Sequence, residues 1–136
     1  MGFRLAAVFL GGVLGTSLRW GADLLFAGAN ESFPVSTLLV NVLGSFVLGL
    51  LTGSLWMRRD VPPWLRAGLG AGVLGSFTTF SALASALVVQ TVSAHLVPAV
   101  TYLVASLALG LGAALVGLRL GLRSGRDAGR RNGVAE

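Results

Sequence analysis

AGLGAGVLGSFTTFSALASALVVQTVSAHLVPAVTYLVASLALGLGAALVGL, residues 67–118, runs for 52 positions without one Asp, Glu, Lys or Arg. As a single helix rising about 1.5 Å per residue it would reach roughly 78 Å, more than twice the roughly 30 Å hydrocarbon core of a bilayer. The stretch therefore reads as two membrane crossings, punctuated near His95 and Pro98. Upstream, another apolar run extends from about Val35 to Met57 behind Pro34, whose fixed φ suits a first helical turn. The earliest run, Leu5 to Leu18, is short enough to resemble a signal-peptide core. It carries Gly11, Gly12 and Gly15, no A-x-A cleavage pattern, and Arg19-Trp20 immediately after it, and so reads as a retained helix reaching about Phe26. The expectation is an all-α membrane protein with spans at about 4–26, 35–57, 64–90 and 96–118.

Composition agrees. The 136 residues are 54% hydrophobic and 11% charged, against about 25% charged in an ordinary soluble domain. Residues 1–120 make one small membrane domain and leave no room for a catalytic domain, so the chain does not read as an enzyme. The absence of cysteine excludes disulfides, thiolate catalysis and cysteine metal sites together.

Ten basic residues, all arginine, oppose five acids. They sit at the ends of apolar runs or in the tail, where lipid head groups account for them, and no soluble face exists for nucleic acid. An even number of spans places both ends on one side. That side holds Arg4, Arg58, Arg59, Arg66, Arg119, Arg123, Arg126, Arg130 and Arg131; the other has only Arg19, with Asp23, Glu31 and His95 in or near its loops. The bias predicts a multi-pass protein of the cell membrane with cytoplasmic termini. Residues 121–136, rich in Gly and Arg with little apolar content, read as a basic disordered cytoplasmic tail.

Several spans carry residues that packing alone does not require. Gly11/Gly15, Gly68/Gly72 and Gly117/Gly121 fit the small-x-x-x-small pattern of close helix contacts. Gly75 precedes Ser76-Phe77-Thr78-Thr79-Phe80-Ser81, with four hydroxyls in six residues at mid-span. At helical spacing Thr78, Ser81 and Ser85 share a stripe, with Phe77 and Phe80 on its neighbour, giving hydroxyl donors beside aromatic rings. A glycine among Ser and Thr also permits a helix break, tolerated at this depth only inside protein or along a cavity. Carbonyls freed there suit a hard cation. Asn41 offers N–H donors within the second span, either as interhelical glue or as an anion ligand. Tyr102 and Ser106 share a face of the fourth span. Arg19 either snorkels or puts a fixed positive charge in an aqueous vestibule. No carboxylate is embedded in a span to drive proton-coupled transport.

Three blocks in order, G-G-x-x-G-x-x-x-R-W from Gly11 to Trp20, T-L-x-V-N-x-x-G-S-F from Thr37 to Phe46 and G-x-F-T-T-F-S from Gly75 to Ser81, resemble the fluoride exporter family known as Fluc or CrcB. The resemblance spans roughly Gly11 to Leu118. It implies a passive fluoride-selective channel that lowers cytoplasmic fluoride, built as an antiparallel dimer of four-helix subunits whose third helix is broken near its middle. It also implies a structural sodium ion at the dimer centre, held by backbone carbonyls that fall on Gly75 and Thr78. Phe80 takes the first position of the family's phenylalanine box, Asn41 that of the pore asparagine, and Tyr102 and Ser106 that of the fourth-helix polar track. Phe77, Thr79 and Ser81 complete the expected fluoride pathway, because a small, strongly hydrated anion needs its water shell replaced by N–H, hydroxyl and ring-edge donors.

The chain also departs from the pattern. Leu83 stands where a second box phenylalanine is usual, Gly110 where a third hydroxyl is common, and Ser36 where glycine is usual. The arginine bias favours one orientation, so the dimer forms either with itself or with a homologous subunit of opposite orientation. Two further readings are a small drug or cation antiporter, which normally needs an embedded glutamate, and a non-conducting partner subunit of a heterodimeric channel, for which Leu83 speaks.

Overall fold

A computed structural model describes residues 1–30, 33–58, 60–93 and 95–132, all helical or connecting, with no strand among them. The elements are α1 (Gly2–Leu25), α2 (Ala27–Asn30), α3 (Val35–Gly53), a 3₁₀ turn (Leu55–Met57), α4 (Pro63–Ala67), a π-helical segment (Gly68–Leu74), α5 (Gly75–Phe77), α6 (Phe80–Val92) and α7 (Leu96–Asn132). Four stretches are long and apolar enough to cross a membrane: Gly2–Leu25, Val35–Met57, Pro63–Val92 and Leu96–Ser124. Glu31, part of the outer-loop charge reading, and Arg59 lie outside the described residues.

Lipid gives helices no hydrophobic reason to associate, so their contacts depend on close backbone approach. The largest contact is α3 on α7. Gly49 and Gly53 of α3 face Gly117 and Gly121 of α7. A Cβ on Gly49 would strike the Ala114 carbonyl, and one on Gly117 would strike the carbonyl of Phe46. The Gly117/Gly121 pair is thus half of a reciprocal interface whose other half, Gly49/Gly53, has the same four-residue spacing. On the opposite side α1 lies on the π segment through Gly11 and Gly15. A Cβ at either would meet backbone around Gly68, Gly72 and Val73. The wider π winding falls in G-L-G-A-G-V-L, where side chains resist it least, and such bulges often accompany functional sites.

Few side chains are fully enclosed. Val40, Ser36 and Tyr102 are the most buried, while Phe9, Leu14, Val88, Val89 and Leu111 point outward, as a lipid-facing surface requires. The helix α7 continues without interruption past Leu118 to Asn132, so residues 121–132, expected from composition to be disordered tail, are helical; residues 133–136 lie outside the described set. Arginine and leucine are good helix formers, and the glycines here only weaken a helix already nucleated in the span.

Candidate functional site: a helix interruption and its groove

Between α5 and α6 the chain leaves the helical region for two residues, Thr78 (φ −75°, ψ 153°) and Thr79 (φ −147°, ψ 121°). Every polar group this exposes at membrane depth must find a partner. The Thr78 N–H and hydroxyl both donate to the Leu74 carbonyl, at 3.0 and 2.8 Å. Thr79 is the N-cap of α6. Its hydroxyl accepts from the Ala82 N–H at 3.2 Å and shares a 3.0 Å hydrogen bond with the Ser81 hydroxyl.

Asn41, from α3, supplies the rest. Its Nδ2 donates to the Thr79 carbonyl at 2.9 Å, and its Oδ1 accepts from the Thr79 N–H at 2.8 Å. The side-chain amide pairs with a whole peptide unit, as a neighbouring strand would. One Nδ2 proton remains over, since an Asn amide carries two donors. Of the two roles open to Asn41 in the sequence, glue and donor, the geometry gives it the first and leaves capacity for the second.

The interruption has a direct consequence for two carbonyls. In a continuous helix the Thr79 N–H would bond the Gly75 carbonyl and the Ala82 N–H the Thr78 carbonyl. Both N–H groups are instead turned to Asn41 and to the Thr79 hydroxyl. Gly75 and Thr78, the two residues expected to hold a cation through their carbonyls, are thus among the four, Gly75 to Thr78, whose carbonyls lose their helical donors at this break. Among the described residues no group of three or more His, Asp or Glu could hold a metal ion. An ion here would therefore rely on backbone oxygen, which suits a hard cation.

A groove of about 350 Å³ opens beside the interruption, lined by Asn41, Gly75, Thr78, Thr79, Phe80 and Leu83 among others. Phe80 is 80% exposed and Leu83 only 7%. Phe77 is not among the lining residues, though its ring lies near Gly44, which is. The expected lane of Phe77 beside Phe80 assumed an unbroken helix, and two extended residues lie between them. Ser81 is exposed next to Phe80.

A smaller cavity of about 100 Å³ is lined by Arg19, Asp23, Thr37, Val40, Thr79 and Ala82. Thr79 borders both spaces, so the Asn41–Thr79 pair stands at the boundary between them. Asp23 accepts a 2.6 Å hydrogen bond from the buried Ser36 hydroxyl. In the sequence Ser36 is only a departure from the family pattern and Asp23 only a loop charge, whereas the structure sets Asp23 within α1, inside the first apolar span. Nothing local links residues 13 positions apart across a turn.

Tyr102 and Ser106 line neither space. Tyr102 is fully buried, its ring edge-on to Phe33 at 5.1 Å. Its hydroxyl has Thr37 and Ser106 beside it, yet neither it nor the Ser106 hydroxyl completes a hydrogen bond of good geometry.

The sequence profile of the CrcB-like protein, camphor resistance family matches residues 6–118. Proteins named fluoride-specific ion channel FluC are similar along most of both chains. That of Thermus thermophilus is 43% identical over 86% of this chain and 94% of its own, and that of Methanopyrus kandleri is 41% identical over 85% and 86%. That of Methylobacterium sp. strain 4-46 is 37% identical over 83% and 91%. With four apolar helices, a matched profile over most of its length and relatives of this kind, the chain belongs to the CrcB family of multi-pass membrane proteins.

Proposed function

We propose that this protein forms a passive, fluoride-selective channel that lets fluoride leave the cell and so lowers its cytoplasmic concentration. The observation that carries the reading is the groove at the α5–α6 interruption, which is lined by Asn41 with its spare amide proton, by Thr79, whose hydroxyl is bonded to that of Ser81, and by the exposed Phe80. These are donors without a cationic side chain. They suit a small anion that must be stripped of water and then released. Hydrogen fluoride is a weak acid that enters neutral and dissociates inside, so a leak driven by the membrane potential is sufficient to expel the anion.

In this reading Arg19 is a vestibule charge, and Tyr102 and Ser106 offer hydroxyls on a separate track. The residues fit the sodium ion that the resemblance implies, because Gly75 and Thr78 present carbonyls released from helical bonding. The ion would fix the interruption by coordinating oxygen. We further infer an antiparallel dimer, since an 80% exposed Phe80 beside a groove open on one side is half of an enclosed passage. The arginine bias sets the termini inside and favours a homologous partner of opposite orientation. Efflux from liposomes loaded with potassium fluoride, with valinomycin to carry the counter-ion, tests the reading. Rapid fluoride release from the lone chain supports a self-sufficient dimer, release only with a homologous partner supports the heterodimer, and release from neither contradicts the channel.

A further inference from the structure

One polar side chain of the groove takes no part in the bonding around the interruption. Ser45 lines the groove together with Asn41, which lies four residues earlier on α3. That spacing puts the two on one helix face, one turn and about 6 Å apart. Ser45 also falls close to the middle of the 23-residue span Val35–Met57.

A hydroxyl at membrane depth can satisfy itself on the carbonyl four residues back, as those of Ser17, Thr52, Thr91 and Ser124 do. Ser45 does not, and its hydroxyl makes no hydrogen bond among the described residues. Nor is it sealed inside protein like the unpaired hydroxyls of Tyr102 and Ser106, because Ser45 is only half-buried. Across from it stands Gly110 of α7, where an added Cβ would lie 3.7 Å from the Ser45 Oγ, so the residue facing it there offers no side chain. The groove's other hydroxyls are engaged. Thr78 donates to the Leu74 carbonyl, and Thr79 is bonded to Ser81 and to the Ala82 N–H. Ser45 therefore brings the groove a donor that the subunit leaves unused.

We propose that Ser45 is a further fluoride ligand, its hydroxyl donating to the anion on the arginine-rich side of Asn41 and passing it to the spare Asn41 amide proton one turn away. The inference rests on the channel reading above and adds a residue to it. An ion at mid-span is far from water on both sides, so a donor there replaces hydration where its loss costs most. One turn further toward the arginine-rich end the α3 residue lining the groove is Leu48, which has no donor. Ser45 is thus the first polar side chain of α3 that an outgoing ion meets in the groove.

The test measures fluoride efflux from liposomes, with valinomycin and in chloride-free buffer, for the wild type, Ser45→Ala and Ser45→Cys, beside melting curves of the same preparations in detergent. Ser45→Ala is expected to slow efflux about tenfold, the loss of one hydrogen bond to a charged group. Its melting temperature should match the wild type, since no bond within the subunit is lost. Ser45→Cys keeps the volume but has only a weak S–H donor, so its rate should fall between the two. Silver ion should stop that variant and spare the wild type, which has no cysteine. Ser45→Ala at the wild-type rate overturns the proposal, as does slowed efflux accompanied by a lowered melting temperature, which makes Ser45 a packing residue. Ser45→Cys efflux that persists under silver overturns it too, because the side chain then lies off the ion's path. A wild-type trace without fluoride efflux overturns the channel reading itself and is recognised from that trace alone.

Discussion

Asn41 and Thr79, 38 residues apart, pair as if they were two peptide units, with Nδ2 to the Thr79 carbonyl at 2.9 Å and the Thr79 N–H to Oδ1 at 2.8 Å. This pair lets an extended dipeptide exist inside a membrane span, and through it α3 determines where the third span opens. The interruption is therefore a property of two spans together.

Asn41→Leu keeps volume and removes both bonds. Two peptide groups of a buried residue lose their partners, at about 1–3 kcal/mol each. The expected result is a lowered melting temperature in detergent together with lost fluoride flux. Asn41→Asp retains the acceptor for the Thr79 N–H but loses the donor and adds a negative charge to the groove. It should be more stable than Asn41→Leu and equally unable to conduct.

Thr79→Val removes the N-cap of α6, worth about 1 kcal/mol, and strands the Ala82 N–H. Thr79→Ser keeps the capping oxygen. Melting curves of the two variants should separate by that amount, with Ser close to wild type, and equal melting temperatures would dismiss the capping role.

Phe80→Ile keeps bulk but has no positive ring edge. Because the ring is exposed rather than packed in its own subunit, folding should survive while fluoride flux is lost. Circular dichroism and liposome efflux on the same preparation report the two effects separately.

Gly117→Val and Gly49→Val drive a side chain into facing backbone carbonyls. Overpacking of this kind costs about 1–3 kcal/mol where neighbours can yield, and backbone yields least. Both variants should lose monodisperse elution in detergent. Gly112→Ala, with nothing within 4 Å of the added carbon, serves as the neutral counterpart.

The spans were legible because a bilayer imposes a length and a polarity on any helix that crosses it, and a charge-free stretch of 52 residues admits few readings. Gly11/Gly15, Gly68/Gly72 and Gly117/Gly121 were legible for a similar reason, as small residues four apart. Asn41 stands out for its amide, but its bond to Thr79 was not readable, since helical periodicity says nothing about contacts between spans. The same limit hid the Ser36–Asp23 bond and the pairing of Gly117/Gly121 with Gly49/Gly53, although both glycine pairs are spaced four apart. The relative placement of Phe77 and Phe80 was not readable for another reason. Helical spacing does not carry across the two residues where the helix stops, and each extended residue there turns the next part of the chain to a new face.

In the proposed channel the groove at Asn41, Thr79 and Phe80 selects fluoride by replacing its water shell with neutral donors. Its most direct test is the reversal potential of the purified protein in a planar bilayer with fluoride on one side and chloride on the other. A fluoride-selective groove gives a reversal potential driven far toward the fluoride equilibrium value, with no measurable chloride current. A reversal near zero, with the two halides carrying comparable current, would contradict it.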